Sequence, residues 1–152
     1  MFLIKEDDLT DEQTRALLAV HLAGMHANSP PGSVFALDLS GLQRPDVTVW
    51  GAWAGPQLAS VGALKMLDGA TGEIKSMRTD ISFLRMGAAR FVLDHIIAVA
   101  RARGLARLSL ETGSGAAFEP ALALYRKRGF ANGDAFSDYE SSAFNQFLHL
   151  DL

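Results

Sequence analysis

Hydrophobic and polar residues follow one another in blocks short enough to be read as separate elements. Residues 2–6 form a first strand. Thr10 followed by Gln13 has the form of a capping box, and Asp11 and Glu12 suit the positive first turn of a helix. Leu17, Leu18, His21, Leu22 and Met25 then supply one apolar face. Pro30 and Pro31 end the helix near Asn28. Residues 29–46 are irregular, with a short helical piece over 35–42. Val47, Val49 and Trp53 alternate with Thr48, Trp50 and Ala52, the period of a strand. A turn over 54–57 leads to a return strand over 58–67, and the turn at 68–72 leads to another strand from Glu73 to Thr79.

From Gly87 the period changes. Ala89, Leu93, Ile96, Ile97 and Ala100 recur at helical spacing, with Arg90, Asp94 and Arg101 on the other side and Gly104 at the carboxyl cap. A strand over 107–111 follows. Pro120 suits the first turn of a further helix, which Gly129 closes, and two late strands are expected over 135–139 and 144–150. Strands outnumber helices and arrive partly as hairpins. The expected fold class is α+β, one central sheet flanked by helices, in a single domain over residues 1–152.

Between residues 73 and 130 the pattern carries chemistry. A turn of small residues, Gly87-Ala88-Ala89, opens a helix, so its backbone N–H groups and the positive end of the helix dipole face outward. Such a turn suits a diphosphate. Arg78, Arg85 and Arg90 surround it in a chain of formal net charge -3. That acidic balance argues against a nucleic-acid surface while allowing a local basic pocket for a phosphorylated small molecule. There are 0 cysteines, which excludes disulfides, thiolate metal sites and thiol catalysis. His21, His26, His95 and His149 have no metal-ligand spacing, and no metal is expected. Gly113-Ser114-Gly115 lacks the spacing of a nucleophile elbow, and Gly69-Ala70-Thr71-Gly72 lacks the Lys-Ser/Thr of a P-loop. No run reaches membrane-span length and the amino terminus has no signal pattern, so a cytoplasmic protein is expected.

These phrases, in this order, resemble the GNAT superfamily of acyl-CoA-dependent N-acyltransferases. The superfamily's pyrophosphate motif is Q/R-x-x-G-x-G/A, and residues 84–89, Leu-Arg-Met-Gly-Ala-Ala, match it at Gly87 and Ala89, with Leu84 in place of the polar first residue. The phrases at 72–79 and 108–115 are similar to a bacterial subgroup of acetyltransferases expected to act on small molecules. Leu124-Tyr125 followed by Gly129-Phe130 is similar to the superfamily's L-Y-x-x-x-G-F ending. The resemblance implies a mostly antiparallel, twisted central sheet with acetyl-CoA as cosubstrate. By it, Met77, Arg78 and Thr79 pair their backbone with the pantetheine arm, and Arg85, Met86, Gly87, Ala88, Ala89 and Arg90 wrap the pyrophosphate.

It further implies that Tyr125 protonates the departing thiolate and that Glu73 stands where some members carry the general base. Glu111, at a strand end beside a glycine turn, is a second candidate for the base. If the strand from Glu73 stays extended, Glu73, Lys75 and Met77 share one face. The expected reaction is direct acetyl transfer to a primary amine of a small molecule in a ternary complex. The expected partners include neither nucleic acid nor membrane, and a homodimer is left open. A non-catalytic CoA-binding or protein-interaction module on the same fold is the rival expectation.

Overall fold

The computed structural model describes residues 1–152. The elements run β1 (Leu3–Asp7), α1 (Glu12–Asn28), α2 (Leu39–Leu42), β2 (Val47–Ala54), β3 (Gln57–Met66), β4 (Thr71–Thr79), α3 (Ala88–Ala102), β5 (Arg107–Thr112), α4 (Glu119–Lys127), β6 (Ala131–Asn132) and β7 (Gln146–Asp151). The strands form one sheet in the order β1-β2-β3-β4-β5-β7-β6, antiparallel throughout except between β4 and β5. No helix is long and apolar enough to cross a membrane.

Both sheet faces are covered, which explains why β2 and β3 are buried along most of their length. On one face, Val92, Leu93, Ile96, Ile97 and Ala100 of α3 pack with Trp50, Ala52, Leu64, Ile74, Leu108 and Leu110. Leu122 and Tyr125 of α4 join the same cluster. On the other face, Leu17 and Leu18 of α1 meet Val49, Trp53, Val61 and Ala63. The alternation of Val49 and Trp53 against Trp50 and Ala52 therefore sorts residues between two cores rather than between core and solvent.

Three local expectations are corrected. Asp11, not Thr10, caps α1: its carboxylate accepts from the Gln13 N–H at 2.8 Å, while the Thr10 hydroxyl donates to Asp8 at 2.6 Å. The strand expected over 135–139 is absent. Phe136 and Tyr139 both turn inward, against each other and against Phe147, and Ser137 has φ 53°, so no two-residue alternation exists there. The pairing with β7 falls instead to the two-residue β6.

The third correction is to β4, which does not stay extended. Val61 pairs with Arg78 and Ala63 with Lys75, so Gly62 faces both Ser76 and Met77. This is a β-bulge, with Ser76 at φ 56°. The extra residue reverses the alternation beyond it. Met77 joins Ile74 on the α3 side, where a Cβ on Gly62 would stand 2.5 Å from its sulfur and 2.7 Å from Val92. Arg78 is thereby sent to the α1 side, the side of Glu73 and Lys75. Met77 and Glu73 lie on opposite faces.

Candidate active site

β4 and β5 are paired only at Thr71↔Arg107, Gly72↔Leu108 and Glu73↔Ser109. Each strand then follows its outer neighbour: β4 stays with β3 to Thr79, and β5 stays with β7 to Thr112. The bulge at Ser76 bends β4 at the place where the two part. The result is a wedge-shaped gap in the middle of the sheet, with free backbone groups of β4 along one wall. An extended ligand can add itself there as a strand does.

At the same end of β4, residues 84–87 turn the chain into α3. Arg85 has φ 62° and Gly87 φ 83°, two left-handed residues separated by Met86. A Cβ on Gly87 would meet nothing within 4 Å, so the glycine serves backbone conformation and leaves open space outside the turn. The first backbone bond of the helix runs from the Phe91 N–H to the Gly87 carbonyl at 3.0 Å. The N–H groups of Ala88, Ala89 and Arg90 ahead of it have no helical acceptor. Arg90 is exposed and lies 3.8 Å from Asp94, which Arg128 approaches to 2.9 Å. Arg90, Lys127 and Arg128 line one cleft between α3 and α4, of about 320 Å³, with Ala123 and Leu124 as its apolar floor.

On the α1 side of the gap, ionisable groups converge. Glu73 and Lys75 are nearly sealed from solvent and lie 3.2 Å apart. The Tyr139 hydroxyl donates to Glu73 Oε2 at 2.5 Å, and Lys75 Nζ donates to the Tyr139 oxygen at 2.9 Å. Burial, then the Glu73 charge, pushes the Tyr139 phenol up, so it stays a donor. Glu111 faces the same group from β5. Burial raises its carboxyl to about 7, with Glu73 pushing the same way and Lys75 opposing. Phe35, from the irregular segment before α2, packs edge-on to Tyr139 at 5.2 Å. The two irregular segments thus meet over the carboxylates.

Tyr125 lies on the opposite face of the sheet. It is buried among the α3-side cluster, 5.8 Å from Phe130, and burial pushes its phenol up. Ser109 and His149 form a separate contact, 2.7 Å apart, while His149 Nε2 lies 2.8 Å from the Asp134 carbonyl. Because that carbonyl can only accept, Nε2 carries a proton and donates to it. This chain of bonds ties β5 to β7 and to the segment after β6. It borders a cleft of about 650 Å³ that runs along β5 and β7 beside residues 131–137 and includes neither the α3 terminus nor Glu73 or Glu111.

The structure therefore brings Arg85, Met86, Gly87, Ala88, Ala89 and Arg90 together at one helix terminus, and Glu73 and Glu111 together on one face. Thr79 is bonded to Ser60 at 3.0 Å. Lys75 and Tyr139 were missed as site residues. Lys75 had a signal, since Glu and Lys two apart on a strand share a face. Tyr139 closes the 135–139 stretch, near which acceptor-pocket residues are expected, but the strand expected there does not form and no periodicity assigns its side chain a place.

The chain has relatives in both sequence and fold. Residues 9–130 match the acetyltransferase (GNAT) family. The chain is 51% identical, over all of its length and 96% of the relative, to the uncharacterized N-acetyltransferase YedL of Escherichia coli (strain K12). The crystal structure of a protein assigned as an acyl-CoA N-acyltransferase, from Klebsiella pneumoniae, superposes with a TM-score of 0.84 at 26% identity, covering 100% of this chain and 98% of that one. A Bacillus subtilis acetyltransferase solved in complex with CoA superposes with a TM-score of 0.73 at 22% identity, covering 100% and 99%. The chain belongs to the GNAT family, and it is an N-acyltransferase of the acetyltransferase type.

Proposed function

We propose that the protein transfers an acetyl group from acetyl-CoA to the primary amine of a small molecule, directly and within a ternary complex. The observation that carries this reading is the convergence at one end of the β4–β5 gap. A helix terminus suited to a diphosphate and a carboxyl that burial raises to about 7 both border that opening. The residues fit coenzyme A: the 85–90 turn for its pyrophosphate, the free edge of β4 at Met77, Arg78 and Thr79 for pantetheine, and the Arg90–Lys127–Arg128 cleft for its charged adenosine end.

Glu111 is the better base. Glu73 has its Oε2 committed to both Tyr139 and Lys75 and serves to orient them. A carboxyl at about 7 matches the working pH of a general base, whereas one at the ordinary value of about 4.3 is a weak base for an ammonium ion. Leu108 and Leu110 face the α4 side of β5, so Ser109 and Glu111 face the other. Glu111 accordingly approaches the gap from one side and Tyr125 from the other. In the proposed reaction the amine nitrogen attacks the thioester carbonyl while Glu111 accepts its proton. Free N–H groups of β4 stabilise the oxyanion, and the C–S bond then breaks as the Tyr125 hydroxyl protonates the departing sulfur.

With no cysteine in the chain, no cysteinyl acyl-enzyme can form, which supports single-step transfer. The test is release of free CoA thiol from acetyl-CoA, measured against a panel of primary amines. Amine-dependent release that saturates in both substrates, with intersecting double-reciprocal lines, is the expected result. Parallel lines or no release with any amine would overturn the reading.

A further inference from the structure

The bulge that carries Met77 to one side sends Arg78 to the other, and the Arg78 side chain finds no counter-ion there. Its Nε–H donates to His21 Nδ1 at 3.1 Å, and its Nη2 approaches the His21 carbonyl only to 3.5 Å. With Nδ1 accepting, the proton of the neutral ring sits on Nε2. Burial, then the charges of Arg78 and Lys75, drive His21 down to about 4, so at neutral pH the imidazole brings no charge to the contact. No carboxylate makes an ion pair with Arg78, and Glu73 is taken by Lys75 and Tyr139.

The guanidinium lies against α1 at Gly24, where a Cβ would stand 3.0 Å from Nη2 and 3.5 Å from Nη1. A half-buried, uncompensated cation is costly to maintain. Here it is held in one orientation, with Nη1 making no bond inside the chain, on the face where Glu111, Tyr139 and Phe35 bound the gap.

We propose that Arg78 receives a carboxylate of the acceptor, so that the substrate class is a small molecule bearing both a primary amine and a carboxylate. This rests on the N-acyltransferase reading above. The two Nη groups match the two oxygens of a carboxylate, and the amine of the same molecule is directed to Glu111. The Arg78 backbone remains free to pair with pantetheine, because only the side chain turns to α1.

The experiment compares matched pairs, L-lysine with cadaverine and L-phenylalanine with phenethylamine, by kcat/KM for CoA release. Wild type should prefer the carboxylated member by roughly 10- to 100-fold, the range for hydrogen bonds to a charged group. Arg78→Gln should bring that ratio close to unity, mainly through KM. Arg78→Lys, which keeps charge but not the fork, should fall between. Amine basicity differs within each pair, but it affects wild type and variant alike and cancels in the change of ratio. Gly24→Ala, which crowds the guanidinium without removing it, should lower the ratio as well and serves if Arg78→Gln does not fold.

Turnover of bare amines with no preference in wild type overturns this proposal and leaves the acyltransferase reading intact. So does a preference that survives Arg78→Gln while calorimetric CoA affinity collapses, which would place the side chain on the cofactor. Absence of amine-dependent release with every pair overturns the reading beneath it.

Discussion

Replacing Glu111 by Gln tests the assignment of the base most directly. The amide keeps the size of the side chain and most of its hydrogen bonding and removes only the basic oxygen. Loss of a general base costs about 10²–10⁴-fold in rate, or roughly 3–5 kcal/mol of barrier. The structure adds a pH signature, since burial holds the Glu111 carboxyl at about 7. Wild-type kcat/KM should therefore carry a rising limb with a midpoint near 7. In Glu111→Gln that limb should vanish, leaving only the titration of the substrate amine. The deficit should be largest at about pH 7 and shrink as free amine accumulates at higher pH.

The same residue predicts a change in stability, whose sign follows from linkage. A carboxyl raised on folding binds its proton more tightly in the native state. The stability it contributes is complete below about 4.3 and is lost as pH rises through about 7. For a partly exposed group the loss is on the order of 1–2 kcal/mol after solvent screening. Glu111→Gln should flatten that decline in urea denaturation between pH 4.5 and 8. A variant that keeps the limb near 7, or loses less than about threefold in turnover, refutes the assignment. If Glu73→Gln abolishes the limb instead, the base is Glu73.

Gly87→Glu should abolish CoA binding by calorimetry, while Gly87→Ala, carrying the same left-handed backbone without charge, should retain most of it; equal losses would show strain rather than a pyrophosphate contact. Tyr125→Phe should melt within a few degrees of wild type yet lose about 10²-fold or more in turnover; full turnover would reduce Tyr125 to packing. Gly62→Ala places a methyl against Met77 and Val92 and should cost about 1–3 kcal/mol in denaturant melts, as overpacking does; an unchanged midpoint would mean that β4 can shift its bulge freely.

The framework was legible because its signals are local. Gly87-Ala88-Ala89 opens α3 and Gly104 follows it within a residue or two of the expected ends, and the alternation of β2 and β3 survives even though both faces are buried. The bulge was not legible. It sits on Ser76, not on a glycine, and exists because β4 must keep pairing with β3 while presenting Met77 to α3. That requirement lies in residues 15 positions away, in Gly62 opposite Met77. The placement of Arg78 follows from it and was equally hidden. Tyr139 escaped notice for another reason: its role depends on a segment whose conformation is set by tertiary contacts of Phe136, Phe147 and His149, not by its own periodicity.

That segment, from Gly133 to Asn145, is held by side chains more than by a ladder. Its backbone–backbone ties are a Gly133 bond to Phe147 and a Tyr139 turn bond, and the rest is aromatic contact, the His149 clamp, the Tyr139 hydroxyl and local side-chain bonds of Ser142 and Asn145. Its opening should thus cost less free energy than unfolding of the sheet, and amide exchange at residues 133–145 should run ahead of exchange in β3 and β5. Activity should then fade on warming before the sheet melts. The same looseness gives the scaffold evolutionary latitude. Substitutions there can retune which acceptor is admitted while the split sheet and the α3 terminus, to which the proposed function assigns the acyl donor, stay untouched.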